Sequence, residues 1–371
     1  MSTFNRCSPF ACLLTFWLSA CSGRAVNLDG IGEKPSPGPA SNVVELHLSS
    51  PAVDFWVDGE RIYWTDYDTL VLKSCAYDDC SHTLATYASS AGPLAWSEHD
   101  VFFAGFAEMP GGRTRGSRLL RCSKLGCVGE PALFLQDAAR FPTPPIVDAD
   151  FLYWSSSFDI YRCALSACTD PPELVAQGYT SNGALAVFGP NVYWWAIAAA
   201  SPDWPTAQTE THLYAAPRDG SAPPTELTPS GPIATAEGEP IAVDAGGLYW
   251  IDAGTRIVTC PLAGCAGKPP MVAVDTPTSK RSLQVDELGL YWIDPYVVAA
   301  DEYPTTGVVR FCPLPGCASG EEPAMLTAEN ARKFQLDAHY LYWNADLTAT
   351  AGGTFNPVVY RAPKPTPGPQ L

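Results

Sequence analysis

The sequence predicts an all-β fold made of a repeated unit, and three observations indicate it. The phrase LYWIDAGTRIVTCPLAGC at 248–265 returns at 290–317 with the same ends and a longer middle. The 36 proline residues disfavour long helices, whereas 11 Trp, 16 Tyr and 15 Phe residues favour strands. Ten of the 13 cysteines fall into five pairs with the same C-x4-C spacing. A chain of 371 residues with these features is long enough for a large repeat array.

An aromatic dipeptide marks each repeat. It occurs seven times, at intervals of roughly 40 to 56 residues, a period typical of solenoids and propellers. The seven dipeptides are Tyr63-Trp64, Phe102-Phe103, Tyr153-Trp154, Tyr193-Trp194, Tyr249-Trp250, Tyr291-Trp292 and Tyr342-Trp343. Six repeats carry an acid five residues before the aligned aromatic residue, which we take as Phe103 in the second repeat. These acids are Asp58, Glu98, Asp148, Asp244, Asp286 and Asp337, and the fourth repeat has Phe188 instead. Turn-forming residues follow each acid, so each repeat begins with a strand, a tight turn and a second strand.

Two further apolar segments complete each repeat. The runs RIVT before Cys260 and VVRF before Cys312 predict a third strand, and a fourth run follows each cysteine pair. Four short antiparallel strands, repeated radially, form a propeller blade. The sequence therefore predicts a seven-bladed β-propeller over residues 43–362, followed by a proline-rich tail at 363–371. The seventh repeat has only three strands, and VVELHL at 43–48 is predicted to supply the fourth and close the ring.

The five cysteine pairs flank the turn between the third and fourth strands. Directly opposed residues of antiparallel strands have Cα atoms about 4.5 to 5.5 Å apart, which a disulfide tolerates. A zinc site would need four ligands, and no pair has a nearby partner of that kind. The sequence therefore predicts the disulfides Cys75–Cys80, Cys122–Cys127, Cys163–Cys168, Cys260–Cys265 and Cys312–Cys317.

The N-terminal residues predict export and lipid anchoring. The apolar stretch at 7–20 is too short to span a bilayer and is typical of a cleaved signal peptide, residues 1–20. The ending LSAC resembles the bacterial lipobox, which implies a lipid on Cys21 and anchoring in the bacterial cell envelope, at the outer membrane or the cell surface. An ordinary secretory signal with a spare Cys21 is the alternative. Residues 21–42 have the composition of a flexible linker.

The second strands also carry a family resemblance. The tetrapeptide YWTD at 63–66, with YWID at 249–252 and 291–294, resembles the YWTD propellers of lipoprotein-receptor ectodomains. It is also similar to exported bacterial propellers with units of this kind. The YWTD family has six blades, so a six-bladed ring is the alternative to the seven repeats counted above. The resemblance covers residues 43–362, is specific only in the second strand, and implies a fold rather than a function.

Composition and motifs disfavour several functions. The 39 acidic and 22 basic residues give a net charge of -17, which opposes binding to nucleic acid or to an anionic membrane surface. The sequence has no motif of a zinc protease, a G-x-S-x-G hydrolase, a P-loop or a dinucleotide-binding enzyme. We therefore expect no cofactor and no metal.

The segments between second and third strands predict a binding face. In a propeller they share one face with the inter-blade connections, and variable loops on a rigid scaffold usually carry binding. The longest are 104–118, 195–211, 293–307 and 344–356. The sequence thus predicts a binding or scaffolding module for an acidic glycan or a protein partner, rather than an enzyme. The alternative is a polysaccharide lyase or glycoside hydrolase that uses loop-face carboxylates such as Asp203, Asp294, Asp301 and Glu302.

Basic residues gather in the predicted inter-blade connections. They are Arg140, Lys280, Arg281, Arg332 and Lys333, five of only 22 basic residues. Such connections enter the innermost strand near the mouth of the central channel, where positive charge would attract an anionic ligand. These five are therefore the candidate ligand-binding residues, and solubilising loop charge is the alternative account.

Overall fold

The computed structural model describes residues 42–66, 68–109, 112–136, 145–156, 159–169, 171–177, 180–197, 211–228, 240–295, 307–317, 322–327, 331–346 and 357–365. These residues form strands and turns and contain no helix, which confirms the predicted all-β class. The predicted signal peptide, Cys21 and nearly all of the predicted linker lie outside the described residues.

The described part contains 27 strands. In chain order they are β1 (Val44–Leu46), β2 (Ala52–Val57), β3 (Arg61–Asp66), β4 (Val71–Ala76), β5 (Ala85–Trp96), β6 (Asp100–Met109), β7 (Gly112–Ser123), β8 (Ala132–Gln136), β9 (Ile146–Val147), β10 (Phe151–Ser155), β11 (Ile160–Ala164), β12 (Glu173–Ala176), β13 (Thr180–Phe188), β14 (Asn191–Ile197), β15 (Thr211–Pro217), β16 (Thr225–Glu226), β17 (Ala242–Val243), β18 (Leu248–Asp252), β19 (Arg256–Cys260), β20 (Met271–Asp275), β21 (Arg281–Val285), β22 (Gly289–Pro295), β23 (Gly307–Pro313), β24 (Ala324–Met325), β25 (Ala331–Leu336), β26 (Tyr340–Asp346) and β27 (Pro357–Pro363).

The strands pair in sequence order into antiparallel sheets. Three sheets have four strands each: β9 to β12, β13 to β16, and β17 to β20. A seven-stranded sheet runs from β2 to β8, in which the first half of the long β5 pairs with β4 and its second half pairs with β6. A last sheet contains β21 to β27 and β1, and its two halves meet only where Gly307 pairs with Ala331. We number the sequence repeats as units 1 to 7 and assign each strand to the repeat that contains it.

The first strand of the chain pairs with the last. Val44 lies opposite Arg361 and Leu46 lies opposite Val359 in an antiparallel ladder between β1 and β27. Leu46 is buried in one cluster with Trp64 of unit 1 and Tyr342 of unit 7. The pairing predicted for residues 43–48 is therefore present, and it joins the two ends of the strand succession.

The recurring aromatic residues of the second strands fill the core. Both faces of these strands are covered, so adjacent Tyr and Trp side chains are both buried. Neighbouring units pack through them: Tyr193 of unit 4 lies in one buried cluster with Trp250 of unit 5, and Tyr153 of unit 3 lies in another with Trp194 of unit 4. The aromatic dipeptide is thus core packing, as the sequence indicates.

The recurring acid caps the turn between the first and second strands. Oδ1 of Asp58 accepts hydrogen bonds from the backbone N–H groups of Glu60 (3.0 Å) and Arg61 (2.8 Å), which is the geometry of an Asx turn. The same contacts recur at Asp148, Asp244, Asp286 and Asp337. The acid therefore recurs at this position because it stabilises the turn.

The alignment of the second repeat was wrong by one residue. Val101 pairs with Cys122 as Ile62 pairs with Cys75, so Phe102 rather than Phe103 occupies the tyrosine position. Ser97 then takes the place of the acid, and its Oγ accepts the N–H groups of the next turn residues at 3.1 and 3.4 Å. Glu98 is exposed and plays no capping role in this turn.

All five predicted disulfides are present, each across the turn between the third and fourth strands. Their Cα–Cα distances run from 4.7 to 5.6 Å. In three of these turns the fifth residue is a glycine with positive φ that packs on the preceding unit. A Cβ on Gly316 would lie 2.6 Å from the carbonyl oxygen of Ala273, and Gly126 and Gly264 approach the preceding unit in the same way.

Two faces follow from the strand directions. The turns between first and second strands contact the turns between third and fourth strands of the next unit: Lys124 Nζ lies 2.8 Å from Asp58 Oδ2, and the rings of Tyr77 and Tyr342 stack at 5.2 Å. We call this side the turn face. The opposite side, where second strands end and third strands begin, is the loop face.

Candidate functional site

Three long insertions leave the loop face from fixed bases. The last paired residues before them are Ile197 and Thr211 in unit 4, Pro295 and Gly307 in unit 6, and Asp346 and Pro357 in unit 7. Residues 198–210, 296–306 and 347–356 between these pairs lie outside the described residues. The strand ends that flank these three segments lie on one face, as the sequence predicts.

The fourth long segment is not an irregular loop. Residues 104–118 of unit 2 continue β6 and β7 as a hairpin, with Glu108 opposite Arg113 and Met109 opposite Gly112. The register shifts between Gly105 and Phe106, which marks a bulge where the hairpin leaves the sheet. Four glycine residues and Pro110 in this segment favour a loop in the sequence, and they concealed the strands.

Two described loop-face aspartates, Asp252 and Asp294, are bound to cations of their own units. Asp294 Oδ2 accepts a hydrogen bond from Arg310 Nε at 3.1 Å, and its Oδ1 accepts one from Trp292 Nε1 at 2.7 Å. Asp252 forms an ion pair with Arg256 in the adjacent strand. Asp294 was one of the carboxylates expected to be available for chemistry, and it is 8% exposed. Asp203, Asp301 and Glu302 lie outside the described residues.

Asp66, the last residue of the YWTD tetrapeptide, follows the same rule. Its Oδ2 lies 2.6 Å from Lys73 Nζ, while Oδ1 accepts the N–H and hydroxyl of Thr69. Burial alone would raise the pKa of Asp66, but the Lys73 ammonium and the hydrogen-bond donors hold it below the ordinary value. The aspartate of this motif is therefore a structural anion in unit 1.

Lys280 is a buried cation at the connection between units 5 and 6. The residue is 3% exposed, and Nζ donates to the carbonyl oxygens of Thr255 and Thr278 (2.9 Å) and to Oγ1 of Thr276 (2.5 Å). Burial lowers its pKa, and the nearby Asp294 carboxylate opposes that shift. Because protein oxygens use its three N–H donors, Lys280 fixes this connection and does not face an external ligand.

Lys333 joins the innermost strands of units 7 and 1. Its Nζ lies 2.6 Å from Asp54 Oδ1 and 4.4 Å from the centre of the Trp56 ring. An ammonium over an indole face is attracted by the ring quadrupole as well as by the carboxylate. Lys333 therefore connects the two units through these contacts, and its side chain is 29% exposed.

The remaining candidate ligand-binding residues are Arg281, Arg332 and Arg140. Arg281 opens β21 and Arg332 is the second residue of β25, so both lie at the loop-face end of an innermost strand, and both are half-buried. Arg332 stands where the register shifts between Ala331 and Lys333, which is a bulge. Arg140 lies outside the described residues.

The described part of the chain shows neither a metal-binding cluster nor a membrane-spanning helix. It holds no group of three or more His, Cys, Asp or Glu side chains able to bind a metal ion. None of its segments is a helix long and apolar enough to cross a membrane. His212, in β15, is 9% exposed, and its Nδ1 lies 2.8 Å from Glu226 Oε1.

Sequence reasoning missed the contacts that connect one unit to the next. Asp54 and Trp56, which contact Lys333 of unit 7, are among the residues that the sequence pattern does not mark. The cations that meet the turn-face aspartates were missed as well: Lys124 with Asp58, Arg218 with Asp148 and Lys364 with Asp286. Their signal was a recurring position, the second residue after the third strand's cysteine or its equivalent.

No protein-family model matches the chain, and no curated protein matches it in sequence. Solved structures do resemble it. The WD40 β-propeller domain of Doa1 has a TM-score of 0.53 at 10% identity, covering 87% of this chain and 96% of that chain. YCF48 bound to D1 peptide has a TM-score of 0.52 at 9% identity, covering 87% of this chain and 95% of that chain.

A nidogen/laminin complex gives a TM-score of 0.44 at 14% identity, over 69% of this chain and 89% of that chain. At such identities a likeness concerns the fold alone. Together with the antiparallel four-stranded sheets, the likeness to the Doa1 domain identifies the chain as a β-propeller protein.

Proposed function

We propose that the chain is a seven-bladed propeller, held at the bacterial cell envelope by lipid on Cys21, that binds a protein partner through its loop face. It acts as a binding or scaffolding module. The observation that carries the binding role is the emergence of three long insertions from one face, each from a fixed pair of strand ends. Rigid strands that present variable segments on one side are the usual arrangement of a recognition surface.

The strand pairing supports seven blades. The halves of β5 complete unit 1 and begin unit 2, the last sheet divides into units 6 and 7, and β1 supplies the fourth strand of unit 7. Each repeat then has four strands. A six-bladed ring would leave one complete repeat without a place in the strand succession.

The insertion sequences favour a protein partner. Each of the three contains at least one large aromatic residue among small and polar ones: Trp204, Tyr296, Tyr303 and Phe355. Aromatic side chains are enriched at the centre of protein interfaces, where charged residues are depleted. The similar fold of YCF48 is seen bound to a D1 peptide, which agrees with peptide or protein recognition by this architecture.

Two other functions have weaker support. Glycan hydrolysis requires a pair of available carboxylates, and the described Asp294 is bound to Arg310 and Trp292. An acidic glycan requires cations that face solvent, whereas the ammonium groups of Lys280 and Lys333 contact protein oxygens. Arg281 and Arg332 are the described residues on which a glycan site would depend.

The test compares three soluble forms, each carrying Cys21→Ala. The first has no further change, the second replaces Trp204, Tyr303 and Phe355 with serine, and the third replaces exposed turn-face residues Glu60, Glu98 and His339 with serine. Cross-linking and affinity capture from the source cells should recover the same partner with the first and third forms and lose it with the second. Equal capture by all three would reject the loop face as the binding surface.

A parallel arm addresses the glycan and the anchor. The first form is also tested for binding to a panel of acidic polysaccharides. Binding that is abolished by Arg281→Ser with Arg332→Ser would show that the ligand is a glycan and would reject the protein partner. The unmodified chain should fractionate with membranes and the Cys21→Ala form should be soluble. Unchanged fractionation of the Cys21→Ala form would reject lipid anchoring at this residue.

A further inference from the structure

Exposed apolar side chains are concentrated on the turn face. Within the described ranges ten large apolar side chains are exposed, and nine of them lie in turns between third and fourth strands or at the turn-face ends of the outer strands. Leu70, at the start of β4, is the exception on the loop face. The nine are Val43, Val44, Leu84, Leu125, Val128, Leu133, Leu174, Met271 and Val272.

Five of these residues lie on the consecutive units 7, 1 and 2, which contact one another on this face. Val44 pairs with Arg361, whose guanidinium lies 5.9 Å from the ring centre of Tyr77 in the disulfide turn of unit 1. Leu84 ends that turn, and the next residue, Ala85, is 3.5 Å from the Cβ position of Gly126 in unit 2. We call Val43, Val44, Leu84, Leu125 and Val128 the apolar arc.

The fold does not require the most exposed members of the arc. Leu125 is 79% exposed and Val128 is 103% exposed, so neither packs on another unit. Lys124 beside them supplies the inward contact, through its ion pair with Asp58. At the position of Leu125 the equivalent turns of units 5 and 6 have Ala263 and Pro315, which are smaller or turn-forming. A large apolar side chain that is exposed in this turn therefore indicates a contact with a surface outside this protein.

The chain enters the propeller at this arc. β1 runs antiparallel to β27 and begins beside Arg361, near the turn-face end of β27, so Asn42 and Val43 emerge on the turn face. The segment from Cys21 to residue 42 is therefore attached to the apolar arc itself. A lipid on Cys21 would place a bilayer within reach of this arc, since about 20 residues with the composition of a linker have a mean span of roughly 25 Å.

We infer that the apolar arc contacts the surface of the bilayer that carries the lipid anchor, so that the loop face points away from the membrane. This inference rests on the proposed lipidation of Cys21. Exposed carboxylates beside the arc, Asp78 and Glu98, are repelled by anionic headgroups, so the surface that fits is a zwitterionic one. Apolar side chains at a neutral interface bind through buried area.

The experiment uses the full lipidated chain in zwitterionic vesicles that contain acyl chains labelled with a bromine quencher. An environment-sensitive fluorescent amino acid replaces Leu125 or, as the matched control, Leu70, which is 46% exposed on the loop face. Vesicle flotation first reports whether the chain is anchored. The expected result is flotation of both proteins, with quenched, blue-shifted emission from position 125 and unquenched emission from position 70.

Further variants separate the arc from the tether. With the probe at Leu84, the changes Leu125→Gln and Val128→Gln should reduce the quenching while flotation persists, and anionic lipid should reduce it in the unchanged arc. Quenching at position 70 equal to that at position 125, or no quenching at position 125 in floating protein, would overturn the inference and leave the anchor intact. Failure to float would reject the anchor and the inference together.

Discussion

At the scale of single residues, an aspartate on the turn face performs three tasks. One oxygen of Asp58 holds the turn, and the other accepts the Tyr63 hydroxyl at 2.8 Å and the Lys124 ammonium of the next unit at 2.8 Å. Unit 4 has Phe188 in place of the acid, and the next unit supplies Leu262, which packs on the same core cluster as Phe188. The contact with the next unit is thus apolar at unit 4, whereas it is ionic at units 1, 3 and 6.

We predict that Lys124→Met destabilises the protein by about 3 kcal/mol. The Asp58 side chain is fully buried, so removal of its cation leaves a buried charge that no solvent compensates. Lys268→Met is the matched control, because Lys268 is exposed and such charges contribute little to stability. Urea unfolding of the three proteins measures the free energies. A loss no greater for Lys124→Met than for Lys268→Met would contradict the structural role of the pair.

The buried tyrosines give a second prediction. Burial, and then the Asp148 carboxylate, raise the pKa of Tyr153 from 10.0 to about 12. Because the folded pKa lies above the unfolded one, the stability that Tyr153 contributes is complete below pH 10.0 and is lost as the pH rises toward about 12. The tyrosinate absorbance of wild type minus that of Tyr153→Phe isolates this group. A midpoint near 10.0 in the folded protein would show that the hydroxyl is solvated.

At the scale of the element, the disulfide turn is a device for packing one unit on another. The glycine before the second cysteine has positive φ in Gly126, Gly264 and Gly316, and each approaches the outer strand of the preceding unit or the residues next to it. A side chain there would separate the units. The disulfide and the glycine therefore act together: one fixes the turn and the other permits close approach.

Gly316→Ala and Gly126→Ala differ in close approach at a similar backbone conformation. Gly316 has a φ of 135° and its Cβ would meet the Ala273 carbonyl oxygen at 2.6 Å, whereas Gly126 in the equivalent turn has a φ of 115° and its nearest neighbour, Ala85 Cβ, at 3.5 Å. We expect Gly316→Ala to cost about 2 kcal/mol more than Gly126→Ala in denaturant unfolding. Equal losses would mean that only the backbone conformation matters and that the packing of unit 6 on unit 5 tolerates a methyl group.

The strands and disulfides could be predicted from the sequence because they depend on local patterns. Alternating apolar runs, turn residues and a fixed cysteine spacing are short-range signals. The register of unit 2 could not, since the Phe102-Phe103 pair offers two equivalent choices and only the pairing of Val101 with Cys122 decides between them. The partners of Lys280 and Lys333 were also out of reach, because a charged residue in a connection looks like a solvated loop residue until its neighbours are known.

At the scale of the whole molecule, the junction between units 7 and 1 holds the two ends of the chain together. Lys333 and Asp54 occupy equivalent positions, each just after the bulge of an innermost strand, and they pair across the junction. Tyr77 stacks on Tyr342 at the turn face, and β1 adds the outer strand. Units 7 and 1 are therefore joined by contacts at the inner strand, at the turn face and at the outer strand.

Closure by β1 is the feature on which the propeller, the direction of the tether and the two faces depend. The measurement compares a chain that lacks residues 22–41 with one that lacks residues 22–48, by thermal melting and by hydrogen exchange of β27. Removal of 22–41 should leave both unchanged. Removal of 22–48 should lower the melting temperature by about 5 °C and accelerate amide exchange between Val359 and Arg361, which lose their partners in β1. Identical melting and identical protection in the two truncated proteins would contradict closure by β1.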